Sequence, residues 1–582
     1  MTNRRNTIFG ALVLLAAMAR HGAATPPAPP AVVDWIRTHA APFSTPEAGH
    51  GFDDLRAFGD MVGDARIVGL GETTHGTREI FQMKHRLLEY LVVEHGFTVF
   101  GLEASLPDCV AINDYVLHGR GDAETALHGQ GFWTWDTEEV LDMIRWMRAY
   151  NDDPAHDRKI RFSGYDMQSL PPALSVALDY VRAIDAARAD ILAADLDALR
   201  TADARTIANV PPEGRRAMRD AADGLVATYD EHRDEWIAAT SADAFDLARW
   251  HAVIVGQYAE MLDSSVVGHQ GAIATMQRVG MAFGPAGLTI RTYLDHVDFA
   301  RVDAFEPLLA AAAGDLDAFL IGYQSRLDHD ARQAYRDRAD ALVTLLAEHR
   351  DEYVGRWSEE AWTAAAQAAA TMRAFFEAAD AFVGMGALDA MPNVRDRCMA
   401  ENIAWILDRE GPDARMVVWA HNGHIMARPS APGTGPMGDT LRRTFGADYV
   451  PVGFLFDRGG FQAIWRPGPD EAWDGAPALR PFTVGASAPG THDAAFAATG
   501  LARCIVDLRT VPREGAVNDW FRTPRSMRTI GAIFSPAAER NFATPVELAN
   551  WFDLAIFFAE TTPARPARLT REQFGMPPRR DG

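Results

Sequence analysis

Three side chains that can move protons follow two short apolar segments early in the chain. Glu72 and His75 lie in a polar turn directly after the apolar run 66–70, and Glu103 follows a second run, 98–102. A carboxylate beside an imidazole orients a histidine base and stabilises the cation that forms when the ring takes a proton. The spacing therefore indicates acid–base chemistry, with His75 as the base and Glu72 or Glu103 as its partner.

A βαβ unit explains how these residues can meet. The segment 77–95 between the two apolar runs has the apolar spacing of an amphipathic helix, so the order is strand, helix, strand. Such a unit places the carboxyl ends of both strands at one edge of a parallel sheet, and ligand sites in open α/β sheets lie at that edge. We therefore expect Glu72, His75 and Glu103 to share one crevice.

Later strands bring further polar side chains to the same predicted edge. Asp166 follows the apolar segment 160–164, and the segment 415–420 ends in His421 and His424. Either histidine can donate a proton to a leaving oxygen or polarise a carbonyl. The same histidines and two glutamates can instead hold a divalent ion, so metal binding stays open as the competing use.

Several familiar catalytic and cofactor signatures are missing from the sequence. It contains neither a GxSxG elbow nor an HExxH motif, and no serine or cysteine stands in a recognisable nucleophile setting. Two glycine patterns, 69–74 and 433–438, lack the full pattern or the context of a dinucleotide site, and there is no Walker A sequence. We therefore expect water as the nucleophile and no cofactor.

A glycine-bounded loop with two tryptophans precedes another predicted helix. The loop 131–136 contains Trp133 and Trp135, and the helix 137–150 follows it. Packing in the core or in a lid is the usual task of such residues, and contact with substrate is the functional alternative. We include both tryptophans among the expected substrate-binding residues.

Composition restricts the class of partner. The 582 residues carry a formal charge of −23, which argues against nucleic acid or an anionic membrane. Cys109, Cys398 and Cys504 show no CxxC spacing, so they imply neither a disulfide framework nor a zinc ribbon. A small molecule is the expected partner.

The beginning of the chain has the pattern of a secretory signal peptide. Residues 1–24 contain Arg4 and Arg5, the apolar run 8–19 and small residues up to Ala24. An uncleaved anchor is the alternative interpretation. We expect cleavage near Ala24 and a periplasmic or extracellular protein without stable membrane anchoring.

The pattern of apolar and polar residues in the rest of the sequence predicts an α/β fold with a largely parallel sheet flanked by helices. A linker at 25–30 precedes an α/β core that is formed by 31–171 and 385–562. Alanine-rich sequence without strand signals predicts an all-helical insertion over 172–384, which covers the cleft. Residues 563–582 are expected to form a peripheral tail.

Seven stretches carry a family resemblance that covers about residues 34–564. They are IVGLGETTHGTREIFQMKHRLLEYLVVEHGF, VFGLEAS, GFWTWDTEEVLDMIRWMRAYN, FSGYDMQS, VRDRCMAENIAWIL, VVWAHNGHI and FDLAIFFAETTPARP. In these motifs the chain resembles the erythromycin esterase family. The resemblance implies a metal-independent hydrolase of macrolide lactones, an antibiotic-resistance activity, on a largely parallel sheet with a helical portion over the cleft.

The resemblance also implies roles for individual residues. The family's catalytic histidine matches His75, its two glutamates match Glu72 and Glu103, and the histidine of its AHN-x-H motif matches His421 or His424. We therefore predict a hydrolase that cleaves a carboxylic ester or lactone with a histidine-activated water. A metal-dependent hydrolase of esters, amides or peptides and a non-catalytic binding protein of the same fold are the alternatives.

Two basic residues complete the expected site. The residue nine positions after the catalytic histidine is often arginine in the family and is Lys84 here, which keeps the charge but loses bidentate geometry. The arginine that opens the family's RD-x-x-M stretch matches Arg395. Together with Asp166, Trp133 and Trp135, these residues are the expected substrate-binding set.

Overall fold

The computed structural model describes most of the chain in two compact units. It describes residues 26–577, except 204–205, 268, 314–318, 320–322, 324–326, 328, 385–392 and 467–477. The described residues of the first unit come from 26–261 and 393–577, and those of the second come from 262–384. The predicted signal peptide, 1–24, lies outside the described residues. Among the described helices, none has the length and apolar character needed to span a bilayer.

A sheet of mostly parallel strands forms the centre of the first unit. The described strands are β1 (Ala40–Pro42), β2 (Ile67–Leu70), β3 (Val99–Ser105), β4 (Arg161–Asp166), β5 (Met416–Trp419), β6 (Tyr449–Trp465), β7 (Leu479–Val484), β8 (Arg503–Asp507), β9 (Arg525–Arg528), β10 (Ile533–Phe534), β11 (Ala543–Val546) and β12 (Leu554–Thr561). The order in the main sheet is β1-β8-β12-β6-β2-β5-β3-β4, with β7 and β10 paired to β6. All neighbours from β12 to β4 are parallel. The predicted α/β class with a largely parallel sheet is confirmed.

The central strands form where the sequence is continuously apolar. Every residue of β2, β3 and β5 is buried, including Glu103 near the end of β3. Continuous burial is typical of parallel strands that are covered on both faces, because crossover helices pack against each side. The carboxyl ends of these strands therefore meet at one protected edge.

Strand β6 differs from the sequence prediction. In the sequence, the apolar segments 449–456 and 461–465 predict two strands, paired near the sheet edge. In the structure they form one strand that lies between β2 and β12. Gly459 at the junction has φ +124°, and a Cβ there would overlap the backbone of Thr561. A glycine lets the strand continue through this close approach, where a side chain would end it.

Helices surround the sheet and make up the second unit. Those that begin in the first unit are Pro30–His39, Arg56–Val62, Arg78–His95, Val110–His118, Ala123–Gly129, Glu138–Asp152, Leu170–Ile184, Ala186–Asp195, Asp197–Thr201, Pro212–Glu231, Arg233–Ala239, Ala242–Val267, Val394–Glu410, Asn422–Ile425, Met437–Phe445, His492–Ala497, Ala516–Arg522, Leu548–Trp551 and Arg568–Gln573. The second unit contains His269–Val297, Val302–Ala313, His329–Glu348, Arg350–Arg356 and Glu359–Gly384.

The second unit has its own apolar core. Phe283 stacks on Phe375 with ring centroids 3.8 Å apart, and Phe376 meets Phe283 edge-on. The described residues of 172–384, predicted as one helical insertion, contain helices and no strand, but they are divided between the two units.

The end of the chain is more closely packed than its composition indicates. Residues from 563 onward were expected to form a peripheral tail, but Pro563 and Pro566 form bridges to Thr77 and Thr137. These threonines lie directly before two helices of the first unit, Arg78–His95 and Glu138–Asp152. The first residues of the expected tail are therefore packed against the body of that unit.

Candidate active site

The turn after β2 carries Glu72 and His75 to the carboxyl edge of the sheet. It ends at the helix Arg78–His95, so the βαβ unit has the predicted order. Gly76 closes the turn against β6, because a Cβ at this position would overlap the backbone carbonyl of Gln462. The Gly76 carbonyl accepts a hydrogen bond from the Gln462 N–H at 2.8 Å. The turn is thus attached to the sheet beside the residues that it presents.

Glu72 is fully buried between two partners. Its Oε1 lies 2.7 Å from His75 Nδ1, and its Oε2 accepts a hydrogen bond of 2.7 Å from Lys84 Nζ. Because the carboxylate accepts, His75 carries a proton on Nδ1 and presents Nε2 as the basic nitrogen. No hydrogen bond joins Nε2 to the described part of the chain, and this atom is not among the enclosed polar atoms. The nitrogen that a base would use is therefore open.

Lys84 is a buried cation beneath this pair. Its ammonium also donates to the Ala420 carbonyl at 3.3 Å and lies 4.3 Å from the centre of the Trp419 ring. Burial lowers the pKa of Lys84 to about 8, although the charges of Glu72 and Glu103 oppose the shift. Lys84 therefore holds Glu72 rather than facing a ligand.

The ring of His421 lies next to that of His75. The N–H of Gly423 donates to His421 Nδ1 at 3.1 Å, so the proton of the neutral ring lies on Nε2. Nε2 is buried and makes no hydrogen bond of normal geometry. Against the larger effect of burial, a weaker contact of the ring with the backbone of Thr73 raises the pKa of His421. Burial and the neighbouring His75 and His424 lower the pKa of His421 to about 3, so the ring is neutral at physiological pH. The His421 and His75 ring centres are 5.2 Å apart.

Asn422 fixes the turn that carries both histidines. Its side-chain amide donates to the carbonyl of Phe454 at 2.8 Å and accepts from the Phe454 N–H at 3.1 Å. This pairing extends the hydrogen bonding of β6 to the loop. Gly71 lies directly opposite, and a Cβ there would overlap the amide oxygen of Asn422.

Glu103 links the two histidines to a partly buried arginine, Arg395. Its Oε2 accepts the N–H of His421 at 3.0 Å, and its Oε1 lies 2.7 Å from Arg395 Nη2 and 3.3 Å from His424 Nε2. Burial raises the pKa of Glu103, but the charges of His424 and Arg395 outweigh it and hold that pKa well below its usual range. Glu103 is therefore a permanent anion that orders the site.

Arg395 and Asp166 form the far side of this network. Asp166 is fully buried at the end of β4 and accepts from Arg395 Nε at 3.2 Å and Nη2 at 2.7 Å. The guanidinium thus joins the carboxylates at the carboxyl ends of β3 and β4, a task that suits the several donors of an arginine. Its charge is satisfied within the protein.

His424 is a second cation of the site and is partly buried. Its Nδ1 lies 2.8 Å from Asp396 Oδ1, while Nε2 has Arg395 Nη1 at 3.0 Å and Glu103 Oε1 at 3.3 Å. The arginine contact would suit a neutral ring and the carboxylate contact a charged one. Burial lowers the pKa of His424, but Asp396 and Glu103 outweigh it and raise that pKa to about 10. We assign the charged ring, because the carboxylates around Arg395 and His424 outnumber these two cations.

Of the two predicted tryptophans, one lies in the site. Trp135 meets the His75 ring edge-on at 5.1 Å and 90°, and its Nε1 donates to the Glu103 carbonyl at 2.9 Å. Trp133 is buried as well but makes none of these contacts. The structure thus brings together the other predicted site residues, and contact of either tryptophan with a substrate stays a prediction.

Sequence comparison decides the family. Residues 92–283 and 281–561 match the sequence profile described as erythromycin esterase, which covers most of the chain. The chain belongs to the erythromycin esterase family. The match begins after the turn that carries Glu72 and His75. Family membership supports a hydrolase.

The following relatives have low sequence identity to this family member, but the similarity extends over most of the chain. Erythromycin esterase type II of Escherichia coli is 22% identical over 490 residues, 83% of this chain and 90% of that protein. A Bacillus cereus protein of known crystal structure has a TM-score of 0.60 at 20% identity, covering 92% of this chain and 99% of its own. The crystal structure of a succinoglycan biosynthesis protein has a TM-score of 0.59 at 18% identity, covering 92% and 98%. These two structures show the fold.

The site of this erythromycin esterase family member includes residues that the sequence reasoning missed. Asp396 binds His424 Nδ1 and also accepts the N–H of Met437 through the same oxygen, at 2.7 Å. It directly follows Arg395, so its position next to a predicted site residue was the available signal. Asn422 and Gly423, which fix the histidine turn, lie inside the AHN-x-H motif itself.

The carboxylates of this site are already engaged by protein donors. Both oxygens of Glu72 and both oxygens of Glu103 accept hydrogen bonds from lysine, arginine, histidine or backbone groups. Within the described ranges, no group of three or more His, Cys, Asp and Glu side chains is arranged to hold a metal ion. The donor set therefore fits acid–base chemistry better than metal ligation.

Proposed function

We propose that this protein hydrolyses a carboxylic ester or lactone by activating a water molecule with His75. The observation that carries the proposal is the pairing of His75 Nδ1 with Glu72 at 2.7 Å, which leaves Nε2 without a partner in the described chain. A general base needs this arrangement, with one ring nitrogen held by a carboxylate and the other free to accept a proton.

Glu72 would support the base in its charged state. When His75 takes a proton from water, the ring becomes an imidazolium beside the Glu72 carboxylate. Lys84 binds the other oxygen of that carboxylate and keeps it in place. The pair therefore orients the base before the reaction and stabilises its charge during it.

His421 would stabilise the oxygen on which negative charge develops. Its Nε2–H is a buried donor without a hydrogen bond of normal geometry, on a ring 5.2 Å from His75. Because the pKa of His421 is lowered to about 3, the ring is neutral near pH 7 and acts as a hydrogen-bond donor rather than as an acid. A donor placed in advance in a water-poor site stabilises an oxyanion more than a solvated donor does.

The proposed steps conserve atoms and protons. The water oxygen attacks the carbonyl carbon while one water proton moves to His75 Nε2, and the carbonyl oxygen becomes an oxyanion beside His421. The tetrahedral intermediate collapses, the carbon–oxygen bond to the leaving alcohol breaks, and His75 returns its proton to that oxygen. The products are a carboxylic acid and an alcohol, which stay joined when the substrate is a lactone.

The charges of the site favour a neutral reacting group. Lys84 is paired with Glu72, and Arg395 is paired with Glu103 and Asp166. Neither cation is thus free to bind a phosphate or carboxylate at the reacting centre. An uncharged ester or lactone, such as that of a macrolide, fits this electrostatic setting better than an anionic substrate.

A hydrolysis screen tests the proposal. Purified protein is assayed on erythromycin, a simple lactone and p-nitrophenyl butyrate, with and without EDTA, beside the His75→Ala variant as the matched blank. We expect hydrolysis of at least one compound that EDTA leaves unchanged and the variant lacks. Activity that EDTA abolishes and one divalent ion restores would point to a metal-dependent hydrolase, and no hydrolysis of any ester would contradict the proposal.

A further inference from the structure

A segment near the end of the chain lies across the start of the helix that follows His75. We call residues 562–570 the C-terminal strap. The Thr562 carbonyl accepts the N–H of Arg78 at 3.0 Å, and the N–H of Ala564 donates to the Gly76 carbonyl at 2.8 Å. These bonds satisfy backbone groups of the catalytic turn and of the first helical turn, which have no partner inside the helix.

The same strap also lies across the start of a second helix, Glu138–Asp152. The Arg565 carbonyl accepts the N–H of Glu138 at 2.8 Å, and the N–H of Ala567 donates to the Asp136 carbonyl at 2.9 Å. The Thr570 hydroxyl donates to the Asp136 carboxylate at 2.6 Å. The strap is therefore anchored both at the turn that carries His75 and at the residues that directly follow Trp135.

One buried ion pair fastens the strap. The Glu139 carboxylate accepts from Arg565 Nε at 2.7 Å and from the Arg565 N–H at 3.1 Å, and Arg78 Nε lies 3.8 Å away. Arg565 also lies 3.2 Å from Glu138. The Glu139 side chain is fully buried, so its charge depends on these donors.

The two helix starts joined by the strap carry two walls of the candidate site. His75 lies three residues before the first helical residue, Arg78, and Trp135 three residues before Glu138; the two rings meet edge-on with centres 5.1 Å apart. Trp135 in turn donates to the Glu103 carbonyl. A shift between the helix starts would therefore move the base relative to the indole and to Glu103.

We propose that the C-terminal strap holds His75 and Trp135 in register, and that Glu139 and Arg565 are positioning residues for the hydrolytic reaction. The inference rests on the proposed function for its catalytic consequence. Neither residue touches the reacting atoms; both act through the two helix starts. Displacement of a catalytic group by about 1 Å can cost on the order of 100-fold in rate, so a loosened strap should lower kcat with little change in KM.

The test compares strap variants with a matched ion-pair variant. Glu139→Gln and Arg565→Gln, singly and together, are assayed on p-nitrophenyl butyrate beside Arg565→Lys and the milder Thr570→Val. The control is Asp553→Asn, because Asp553 pairs with Arg442 at the same 2.7 Å but lies just before β12, at the opposite edge of the sheet. Hydrogen exchange of residues 73–79 and 133–139 gives a readout that does not depend on activity.

We expect the Gln variants to lose about 10- to 100-fold in kcat, with faster exchange in both segments. The double variant should lose less than the product of the single losses, and Arg565→Lys should recover part of kcat because a lysine can still pair with Glu139. Thr570→Val should show a smaller change in the same direction. Asp553→Asn should lower stability while kcat and exchange in these segments stay at the wild-type values.

Two outcomes distinguish a failure of the strap proposal from a failure of the proposed function. If the Gln variants match Asp553→Asn in kcat and in the exchange of both segments, the strap is not a positioning element. If the wild-type protein hydrolyses no ester, the proposed function fails. In that case unchanged hydrogen exchange in the Gln variants would, without any activity measurement, contradict the proposed positioning role of the strap.

Discussion

The backbone N–H of Gly423 donates to Nδ1 of His421 at 3.1 Å, which leaves the proton of a neutral ring on Nε2. Burial and the neighbouring histidines lower the pKa of His421 to about 3, so the ring stays neutral across the range in which enzymes are usually assayed. A histidine prepared in this way acts as a hydrogen-bond donor and does not titrate during turnover. This relationship gives His421 a different task from His75.

Replacing His421 should therefore affect the transition state more than binding. His421→Ala is expected to lower kcat by about 10²- to 10³-fold, the cost of losing one oxyanion donor, with a small change in KM. Steady-state kinetics on the ester found in the screen measures it. The control is His492→Gln. His492 is also fully buried, and burial lowers its pKa to about 4, so its ring is neutral too. Its hydrogen bond is to the Val546 carbonyl and not to a residue of the site. Equal kcat in the two variants would remove the oxyanion role.

The pH dependence of kcat/KM should show the titration of Lys84. Burial lowers the pKa of Lys84 to about 8, so kcat/KM should fall above that pH as Glu72 loses its buried partner. Lys84→Met removes the titrating group and keeps the chain length, so its profile should lose the alkaline limb and have a lower plateau. An alkaline limb that persists unchanged in Lys84→Met would assign it to another group.

The βαβ unit could be predicted because its signals are local. The apolar runs 66–70 and 98–102 correspond to Ile67–Leu70 and Val99–Ser105 in the structure, and the helix ends at His95 as expected. The rule that parallel strands share a carboxyl edge then brought Glu72, His75 and Glu103 together. The predicted topology alone was sufficient to place these three residues together.

The rest of the site depends on side-chain geometry between distant segments. Asp396 reaches His424 from a helix that precedes β5, and no periodicity in the sequence indicates that contact. Likewise, β6 is continuous because Gly459 passes against Thr561, which is far along the chain. Pairings of this kind appear only when the packed structure is known.

His424 should make stability depend on pH. Asp396 and Glu103 overcome the effect of burial and raise the pKa of His424 to about 10, above the value of about 6.5 expected for an unfolded chain. A raised pKa means that the folded state holds the proton more tightly. The stabilisation is thus complete below about pH 6.5 and disappears as the pH rises to about 10, by at most about 1.4 kcal/mol for each pH unit.

Urea unfolding of the wild-type protein and of His424→Asn between pH 6 and 10 measures this contribution of His424 to stability. The difference in free energy of unfolding should shrink as the pH rises through that range. The difference between the two proteins is used because Lys84, whose folded pKa is lowered, changes stability in the opposite direction between about pH 8 and 10.5 in both. A difference that is constant with pH would show that His424 is neutral in the folded protein.

Removing the charge of Glu72 should affect the same step as removing the base. Glu72→Gln keeps a group that can face His75 but loses the carboxylate that stabilises the imidazolium, and it leaves Lys84 without its anion. We expect a loss of about 10²-fold or more in kcat, and the double variant with His75→Ala should be little worse than His75→Ala alone. Losses that multiply in the double variant would show that the two residues act independently.

The most direct test of the account is the turnover of His75→Ala on a confirmed ester substrate. A general base contributes about 10²- to 10⁴-fold, so kcat should fall by a factor in that range while KM changes little. Circular dichroism should show a wild-type fold, because His75 lies in a turn and contributes little to the core. A folded His75→Ala protein that keeps near wild-type kcat would contradict the role of His75 and the proposed mechanism with it.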